Sequence, residues 1–372
     1  MNHWKVAMLL LAVVVAVDSI AQNMTIDWHS DSGRFVTRGG YARIRTVDNR
    51  HALVYGAGAA VWIRFSDDGC EQWSEAVEVA RGDGYIYANS ELLQLRSGRL
   101  LFMWNARPRK DTDLPYKIMY ATSDDGGRTW SCGRDLYVAG NRPREGCWEP
   151  VALQLPSGEV HVYFANEALY KKSAEQDISL MRSVDECRSW SRAERVSFRA
   201  GSRDGMPVPI YLPHTGQIAM AIEDNGLRGT FKPVIVRTAN NWKDGCVTAD
   251  DPRREEALAP RWALRDTIYA GAPYLIPIGE HHTLLSVQST EGRQGRGHKY
   301  ANMQVYVGDK SARNFRNRST PMPDLAAEGC ALWNSLAAID DRTVIAVLSV
   351  SGAAGGQNGV WTVKGSLVKA KR

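Results

Sequence analysis

The chain has 372 residues, of which 46 are Lys or Arg and 41 are Asp or Glu, so its net charge is +5. Basic and acidic residues are interleaved, and no basic block with aromatic residues stands out, which argues against a nucleic-acid-binding protein. The eight histidines form no metal-binding motif and no cysteine pair has zinc-site spacing, so we expect neither a metal nor a cofactor.

Residues 1–21 have the pattern of a secretory signal peptide. Lys5 supplies the positive charge, residues 7–17 form an apolar run too short to span a bilayer comfortably, and residues 19–21 are compatible with a cleavage site. An uncleaved anchor is the alternative. We therefore expect an exported protein, periplasmic or extracellular, with no membrane span after cleavage. Residues 22–372 are predicted to form one catalytic domain, and we expect it to be a monomer.

Apolar runs interrupted by tight turns recur along the rest of the chain. Each predicts two strands joined as a hairpin, and four of the turns carry a glycine, at positions 98, 158, 216 and 279. The six predicted hairpins cover residues 41–55, 90–104, 150–164, 208–222, 274–285 and 336–347.

A second repeat runs in phase with the hairpins. Residues 123–131, with the sequence SDDGGRTWS, form a polar turn that ends in a tryptophan, and the side chains of Asp and Ser suit such a turn. Related copies occupy residues 66–74 and 183–191, and degraded copies residues 238–242 and 307–310. Copies start 57, 60 and 55 residues apart (66 to 123, 123 to 183, 183 to 238), which indicates a repeat architecture.

Together the two repeats predict an all-β fold. Each well-marked hairpin is followed by a turn of the second kind, so that the hairpin and the two strands flanking that turn make a four-stranded antiparallel blade. Six such units predict a six-bladed β-propeller, with a five-bladed propeller as the alternative. The tryptophans Trp73, Trp130 and Trp190 are expected to be buried between outer strands.

The hairpin turns also predict where a ligand binds. In a propeller the innermost strand begins, and the second strand ends, at the same mouth of the central channel, which is where this architecture places a ligand. Polar residues counted to that mouth are Asn89, Asn105, Glu149, Asn166, Glu167, Glu223 and Gln288.

Glu149 and Glu223 are the residues most suited to catalysis. They are predicted on adjacent blades and on neighbouring walls of one pocket. Paired carboxylates across a pocket are what glycoside cleavage needs, because one protonates the leaving oxygen and the other attacks the sugar or activates water. The alternative is that each is a strand-end residue bound to an arginine. The residues alone do not assign the two roles.

The turn pattern S-x-D-x-G-x-T-W resembles the Asp-box, or BNR repeat, of the sialidase superfamily of β-propellers. The segments around Glu149 (Trp-Glu-Pro) and Glu223 (Ile-Glu-Asp-Asn), 74 residues apart, resemble glycoside hydrolase family 93. That resemblance implies a secreted, retaining exo-hydrolase of a neutral polysaccharide, α-1,5-L-arabinan, that releases arabinobiose. It also implies that Glu149 is the acid/base and Glu223 the nucleophile.

Further residues are candidates for binding an oligosaccharide or polysaccharide substrate, although each could instead cap a strand end. Trp148 could equally be a sugar platform or part of the core. The candidates are Arg43, Asn89, Asn105, Trp148, Asn166, Tyr269 and Gln288.

Two other functions remain open. An exo-sialidase holds sialic acid with three arginines, and Arg43-Ile44-Arg45 resembles the opening Arg-Ile-Pro of that class with Arg45 in place of proline. However, Asn166 and Glu167 stand where a sialidase tends to place an arginine, and Glu167 would repel a carboxylate. Substitutes for the missing groups are Arg203, Arg265 and Arg293 as cations and Tyr300 as nucleophile. The third function is a carbohydrate-binding propeller without catalysis.

Overall fold

The computed structural model describes residues 23–352 and 357–371. The predicted signal peptide, residues 1–21, lies outside the described residues. None of the helices in the described ranges has the length and apolar character needed to cross a membrane.

Nearly all regular structure in the described residues is β-strand. The strands, numbered in chain order, are β1 (Met24–Trp28), β2 (Arg34–Thr37), β3 (Gly40–Val47), β4 (Arg50–Ala57), β5 (Ala60–Ser66), β6 (Val77–Arg81), β7 (Tyr85–Gln94), β8 (Leu100–Pro108), β9 (Lys117–Ser123), β10 (Arg134–Val138), β11 (Cys147–Gln154), β12 (Val160–Asn166), β13 (Asp177–Ser183), β14 (Glu194–Ser197), β15 (Asp204–Leu212), β16 (Gln217–Asp224), β17 (Lys232–Thr238), β18 (Arg254–Glu256), β19 (Ala270–Ile278), β20 (His282–Ser289), β21 (Asn302–Asp309), β22 (Arg316–Ser319), β23 (Cys330–Ala338), β24 (Thr343–Ser351) and β25 (Gly359–Lys369). Short 3-10 helices cover Ser30–Ser32, Pro143–Glu145, Pro260–Trp262 and His298–Tyr300.

The strands form six antiparallel blades, so the predicted six-bladed propeller is confirmed. Blades 1 to 5 are β3–β6, β7–β10, β11–β14, β15–β18 and β19–β22, each in sequential order from the channel outward. Blade 6 takes β23, β24 and β25 from the end of the chain, and its outer edge is completed by β1 and β2 from the beginning. Pairing of Met24 with Lys369 joins the two ends of the chain and closes the ring.

The core lies between the faces of neighbouring blades rather than in one central mass. Phe102 and Trp104 of blade 2, both fully buried, pack towards blade 1, and Tyr163 of blade 3 packs edge-on against Trp242 of blade 4. Successive side chains of a strand point to opposite faces of the blade, so they pack alternately against the preceding blade and the following blade. All six cysteines are free, and the four buried ones are Cys70, Cys147, Cys187 and Cys330.

The tryptophan-ending turns join the third and fourth strands of blades 1, 2 and 3, as predicted. In the second of them the N–H of Gly127 donates to Ser123 Oγ at 2.9 Å, and the Asp125 carboxylate accepts the N–H groups of Arg128 and Thr129 at 2.9 Å each. The closing tryptophans differ from the prediction, because each is only half-buried. Trp130, for example, packs edge-on against Phe102 and leaves its outer side at the rim of the blade.

A β-bulge interrupts the innermost strand of every blade near the mouth. At each bulge one residue other than glycine has a positive φ, between 46° and 54°, and these residues are Tyr41, Asn89, Glu149, Met206, Ala272 and Trp333. Such a conformation costs about 1–3 kcal/mol for most residues and tends to occur at functional sites. The fold therefore repeats one strained position six times around the mouth of the channel.

Candidate active site

A cavity of about 370 Å³ opens at the mouth where the innermost strands begin. Its volume lies within the range of about 300–1,000 Å³ that is usual for small-molecule sites. It is lined from blades 1, 2, 3 and 6, by residues that include Tyr41, Asn89, Arg107, Trp148, Glu149 and Trp333. The cavity is thus at the mouth that the hairpin turns predicted.

Glu149 borders this cavity at the bulge of β11. Its backbone has a φ of 54°, which a β-bulge between Trp148 and Val151 imposes on the strand. Burial raises the pKa of Glu149 to about 7, the negative charge of Glu223 adds to that increase, and Arg107 opposes it. A carboxyl group with that pKa carries a proton for much of the time near neutral pH, as a general acid must.

Glu223 lies at the end of β16, between its own blade 4 and the neighbouring blade 5. It is paired with Gly205 across the blade, and its Oε2 accepts the N–H of Ala272 from blade 5 at 2.7 Å. Burial raises the pKa of Glu223 to about 7, although the Ala272 N–H and the charge of Arg203 act in the opposite direction. The carboxylate therefore has a fixed position between blades 4 and 5.

The two glutamates come from adjacent blades and interact electrostatically, since the charge of Glu223 raises the pKa of Glu149. Only Glu149 lines the cavity of 370 Å³, however. The hydrogen bond from the N–H of Ala272 holds the Glu223 carboxylate towards blade 5. Glu223 therefore lies beside the residues that line this cavity, close enough to Glu149 for its charge to raise the pKa of that residue.

Apolar and aromatic side chains fill the channel at the cavity floor. Tyr41, Met206 and Ala272 are buried together, with Trp333 packed against them. Arg43 lies behind this group with 1% of its surface exposed, and its Nη1 donates to the carbonyl oxygens of Ala42 and Trp333, each at 3.0 Å. Although Arg43 is a predicted substrate ligand, it does not reach the cavity.

Three of the predicted amide ligands are buried and hydrogen-bonded within the protein. Asn105 donates to the carbonyl oxygens of Lys117 and Cys147, Asn166 donates to Tyr137 and Ser179, and Gln288 donates to Tyr269 and accepts the N–H of Trp333. These amides orient neighbouring groups and do not line the cavity.

The remaining predicted ligands lie nearer the site. Asn89 and Trp148 line the cavity, and Trp148 has Arg107 over its ring at 5.1 Å from the centroid, so that face of the indole is already covered. Tyr269 lies beside Glu223, because a Cβ added to Gly271 would be 2.5 Å from both the Tyr269 hydroxyl and Glu223 Oε2.

The sequence reasoning missed Arg107. It lies nine residues after the turn glycine Gly98, which is the same register as the polar residues counted at this mouth. The count stopped at Asn105, the first polar residue after the apolar run. Side chains two residues apart lie on the same face of a strand, so counting two residues further, from Asn105 to Arg107, would have identified Arg107.

The arginines proposed to complete a sialidase site are occupied or lie at the surface. Arg203 forms an ion pair with Glu167, and Arg293 donates to five backbone carbonyl oxygens. Arg265 is exposed, and Tyr300 has Lys299 over its ring. The ion pair balances the negative charge of Glu167, so that charge does not repel a carboxylate as the sequence suggested. The same ion pair occupies Arg203, which is then not free to bind a carboxylate.

The raised pKa of Glu223 predicts that this residue lowers the stability of the fold at high pH. Between its reference pKa of 4.5 and about 7 the folded protein binds a proton that the unfolded chain does not, so stability falls as pH rises through that range. We expect Glu223→Gln to raise Tm by about 1–3 °C at pH 8. The gain should vanish below pH 4.5, since wild-type Glu223 is then also neutral.

Differential scanning calorimetry at pH 8 and pH 4 measures this effect. The matched control is Glu75→Gln, which makes the same change at an exposed position. An equal Tm for wild type and Glu223→Gln at pH 8 would contradict the prediction.

Solved structures of low sequence identity share this fold. They include a glycoside hydrolase family 93 α-L-arabinofuranosidase of Fusarium graminearum with arabinobiose (TM-score 0.66, 18% identity, 89% of this chain and 93% of that one). A Penicillium chrysogenum α-L-arabinanase with arabinobiose has a TM-score of 0.62 at 18% identity, over 92% of this chain and 96% of that one. The NanB sialidase of Streptococcus pneumoniae has a TM-score of 0.59 at 10% identity, over 90% of this chain and 70% of that one.

These similarities confirm the predicted likeness in fold to family 93 and to sialidase propellers. The sequence itself matches no protein-family model and no curated protein.

Proposed function

We propose that this protein is a retaining exo-glycoside hydrolase in which Glu149 is the acid/base and Glu223 the nucleophile. The observation that carries the proposal is the pair of carboxyl groups on adjacent blades at one mouth, each with its pKa raised to about 7 and electrostatically coupled. Titratable pairs with strongly shifted pKa values are typical of acid/base sites.

In this mechanism protonated Glu149 gives its proton to the leaving glycosidic oxygen while ionised Glu223 attacks the anomeric carbon. The carbon–oxygen bond breaks and a covalent glycosyl ester forms on Glu223. Glu149, now ionised, removes a proton from water, and that water releases the sugar with retained configuration. The Ala272 N–H supports the role of Glu223, because it orients the carboxylate and favours the ionised form.

We propose a neutral substrate, α-1,5-L-arabinan, with arabinobiose as the product. Two neighbours in fold are an arabinofuranosidase and an arabinanase, each solved with arabinobiose. The side chains at the mouth support a neutral sugar, because Arg203 is paired with Glu167, and Arg43 is buried against carbonyl oxygens. Export through residues 1–21 would bring such an enzyme to a polysaccharide outside the cell.

Incubation of the purified protein with arabinan, other pentosans and sialyllactose, followed by chromatography, tests the proposal. We expect arabinobiose from arabinan, no free sialic acid from sialyllactose, and loss of the arabinan activity in Glu149→Gln. Release of sialic acid at a comparable rate would overturn the neutral-sugar proposal. Absence of turnover on every glycan would favour a binding propeller.

An exo-sialidase is the second candidate. The observations that favour it are the shared fold with the NanB sialidase and the position of Tyr269 next to Glu223, since that enzyme class pairs a tyrosine nucleophile with a glutamate. Against it, the Tyr269 hydroxyl accepts a hydrogen bond from Gln288 and its pKa is raised by burial, which makes it a poorer nucleophile.

A further inference from the structure

We propose that Arg107 binds two neighbouring hydroxyl oxygens of a neutral saccharide in the cavity beside Glu149. This inference rests on the proposed function for its substrate class, and it adds a binding residue together with the two amides that hold it in place.

Side chains from three different strands fix the Arg107 guanidinium. Its Nε donates to Asn105 Oδ1 at 2.7 Å, its Nη2 donates to Asn89 Oδ1, and its central carbon lies 5.1 Å from the ring centroid of Trp148. Asn105 is anchored in turn, because its own amide group donates to two backbone carbonyl oxygens. A guanidinium held in this way loses little conformational entropy when a ligand binds.

The remaining hydrogen-bonding capacity of Arg107 is available to a ligand. A guanidinium has five N–H donors, and the two asparagines use two of them. Arg107 lines the cavity, and it forms no ion pair within residues 23–352 and 357–371. Arg43 and Arg203 are already engaged, so Arg107 is the cavity-lining cation with unused donors.

The surroundings favour hydroxyl groups over a carboxylate. Asn105 and Asn89 occupy the Nε–Nη2 edge of Arg107, which is one of the two edges that pair with a carboxylate in a two-bond fork, so the Nη1–Nη2 end is what remains for a ligand. Glu149 and Glu223 already bring negative charge to this mouth, and a third carboxylate would be repelled by whichever of them is ionised. Neighbouring hydroxyls on a sugar ring accept hydrogen bonds without adding charge.

The test is isothermal titration of arabinobiose, xylobiose and galacturonic acid into the Glu223→Gln variant, which prevents turnover. Adding Arg107→Met should weaken binding of the preferred neutral disaccharide about 10- to 100-fold, the range for hydrogen bonds to a charged group. Methionine retains an apolar stem against Trp148, and circular dichroism checks that the fold is kept. The matched control is Arg128→Met, because Arg128 is exposed in a rim turn.

Asn105→Ala is a second variant. It keeps the charge of Arg107 but removes the amide oxygen that accepts the Nε–H of Arg107. In the wild-type background it should raise KM several-fold more than it lowers kcat, because Arg107 loses the partner of its Nε. Circular dichroism checks that the fold is kept when the bonds to the Lys117 and Cys147 carbonyl oxygens are lost.

Each outcome of the titration has a defined meaning. If the Glu223→Gln variant binds the neutral disaccharide with the same affinity whether or not it also carries Arg107→Met, this inference is overturned and the proposed function is left intact. Arg107-dependent binding of a disaccharide without any hydrolysis by wild type would overturn the proposed function alone. Tighter Arg107-dependent binding of galacturonic acid, or no binding of either neutral disaccharide, would overturn the inference that Arg107 recognises neutral hydroxyls.

Discussion

Glu223→Ala should abolish turnover of every glycoside substrate, including those with an activated leaving group. The reason is that both steps of the proposed mechanism pass through this carboxylate: it forms the bond to the anomeric carbon and is then released by water. Azide should give at most a glycosyl azide of inverted configuration, because it can occupy the space of the missing carboxylate and attack from that side. The measurement is kcat/KM with an aryl arabinoside, followed by proton NMR of the product.

Glu149→Ala should behave differently, because the acid/base is needed only where a proton must move. Loss of general acid–base catalysis typically costs about 10²- to 10⁴-fold, so arabinan cleavage should fall by that factor. An aryl arabinoside with a good leaving group should still form the glycosyl ester on Glu223. Azide needs no general base, so it should restore turnover and yield a glycosyl azide of retained configuration.

These two variants together test the role assignment as well as the mechanism. Glu75→Ala, at an exposed position, is the matched control and should retain wild-type rates. If azide rescues the two variants in the opposite sense, the roles of Glu149 and Glu223 are reversed. If the first sugar released by wild type has inverted configuration, the covalent mechanism is wrong. Inversion would imply a carboxyl separation of about 6.5–9.5 Å rather than about 5–5.5 Å.

The fold could be predicted because its turns carry side-chain signals that repeat. Gly98 takes a φ of 89° that other residues resist, and Ser123 and Asp125 bond the backbone of their own turn. The closure of blade 6 by β1 and β2 could not be predicted in the same way. These two strands contain no repeat turn, and what holds them is pairing with β25 at the other end of the chain.

The site could be predicted to the level of the mouth but not to the level of each side chain. Counting from the turn glycines brought Glu149 and Asn89 to the cavity, because strand length is regular. In blade 1 the residue at the same bulge position as Asn89 and Glu149 is Tyr41. Arg43 was chosen for its likeness to the Arg-Ile-Pro motif and not by the count. It lies two residues farther along the strand, where it donates to the carbonyl oxygens of Ala42 and Trp333 instead of lining the cavity.

Gly271→Ala is expected to lower kcat strongly with little loss of stability. A Cβ at this position would lie 2.5 Å from Glu223 Oε2 and from the Tyr269 hydroxyl, which is closer than real contacts permit. The Glu223 carboxylate ends a flexible side chain and should move while the backbone stays, and the Tyr269 ring, whose Cζ would lie 2.8 Å from the new Cβ, must shift with it. The Glu223 carboxylate would then lose the N–H of Ala272 that holds it at 2.7 Å. A displacement of about 1 Å at a catalytic group can cost about 10²-fold in rate.

The matched control for this substitution is Gly297→Ala in the same blade, because a Cβ there would meet no atom within 4 Å. It should leave kcat and Tm unchanged. Gly205→Ala tests the same idea from the other side of the carboxylate, since its Cβ would lie 3.0 Å from Glu223 Oε1 and 2.8 Å from Gln176 Oε1. We expect it, too, to reduce kcat more than it raises KM. If both glycine variants retain wild-type kcat, the position of Glu223 between blades 4 and 5 does not matter for turnover, and its role as nucleophile is contradicted.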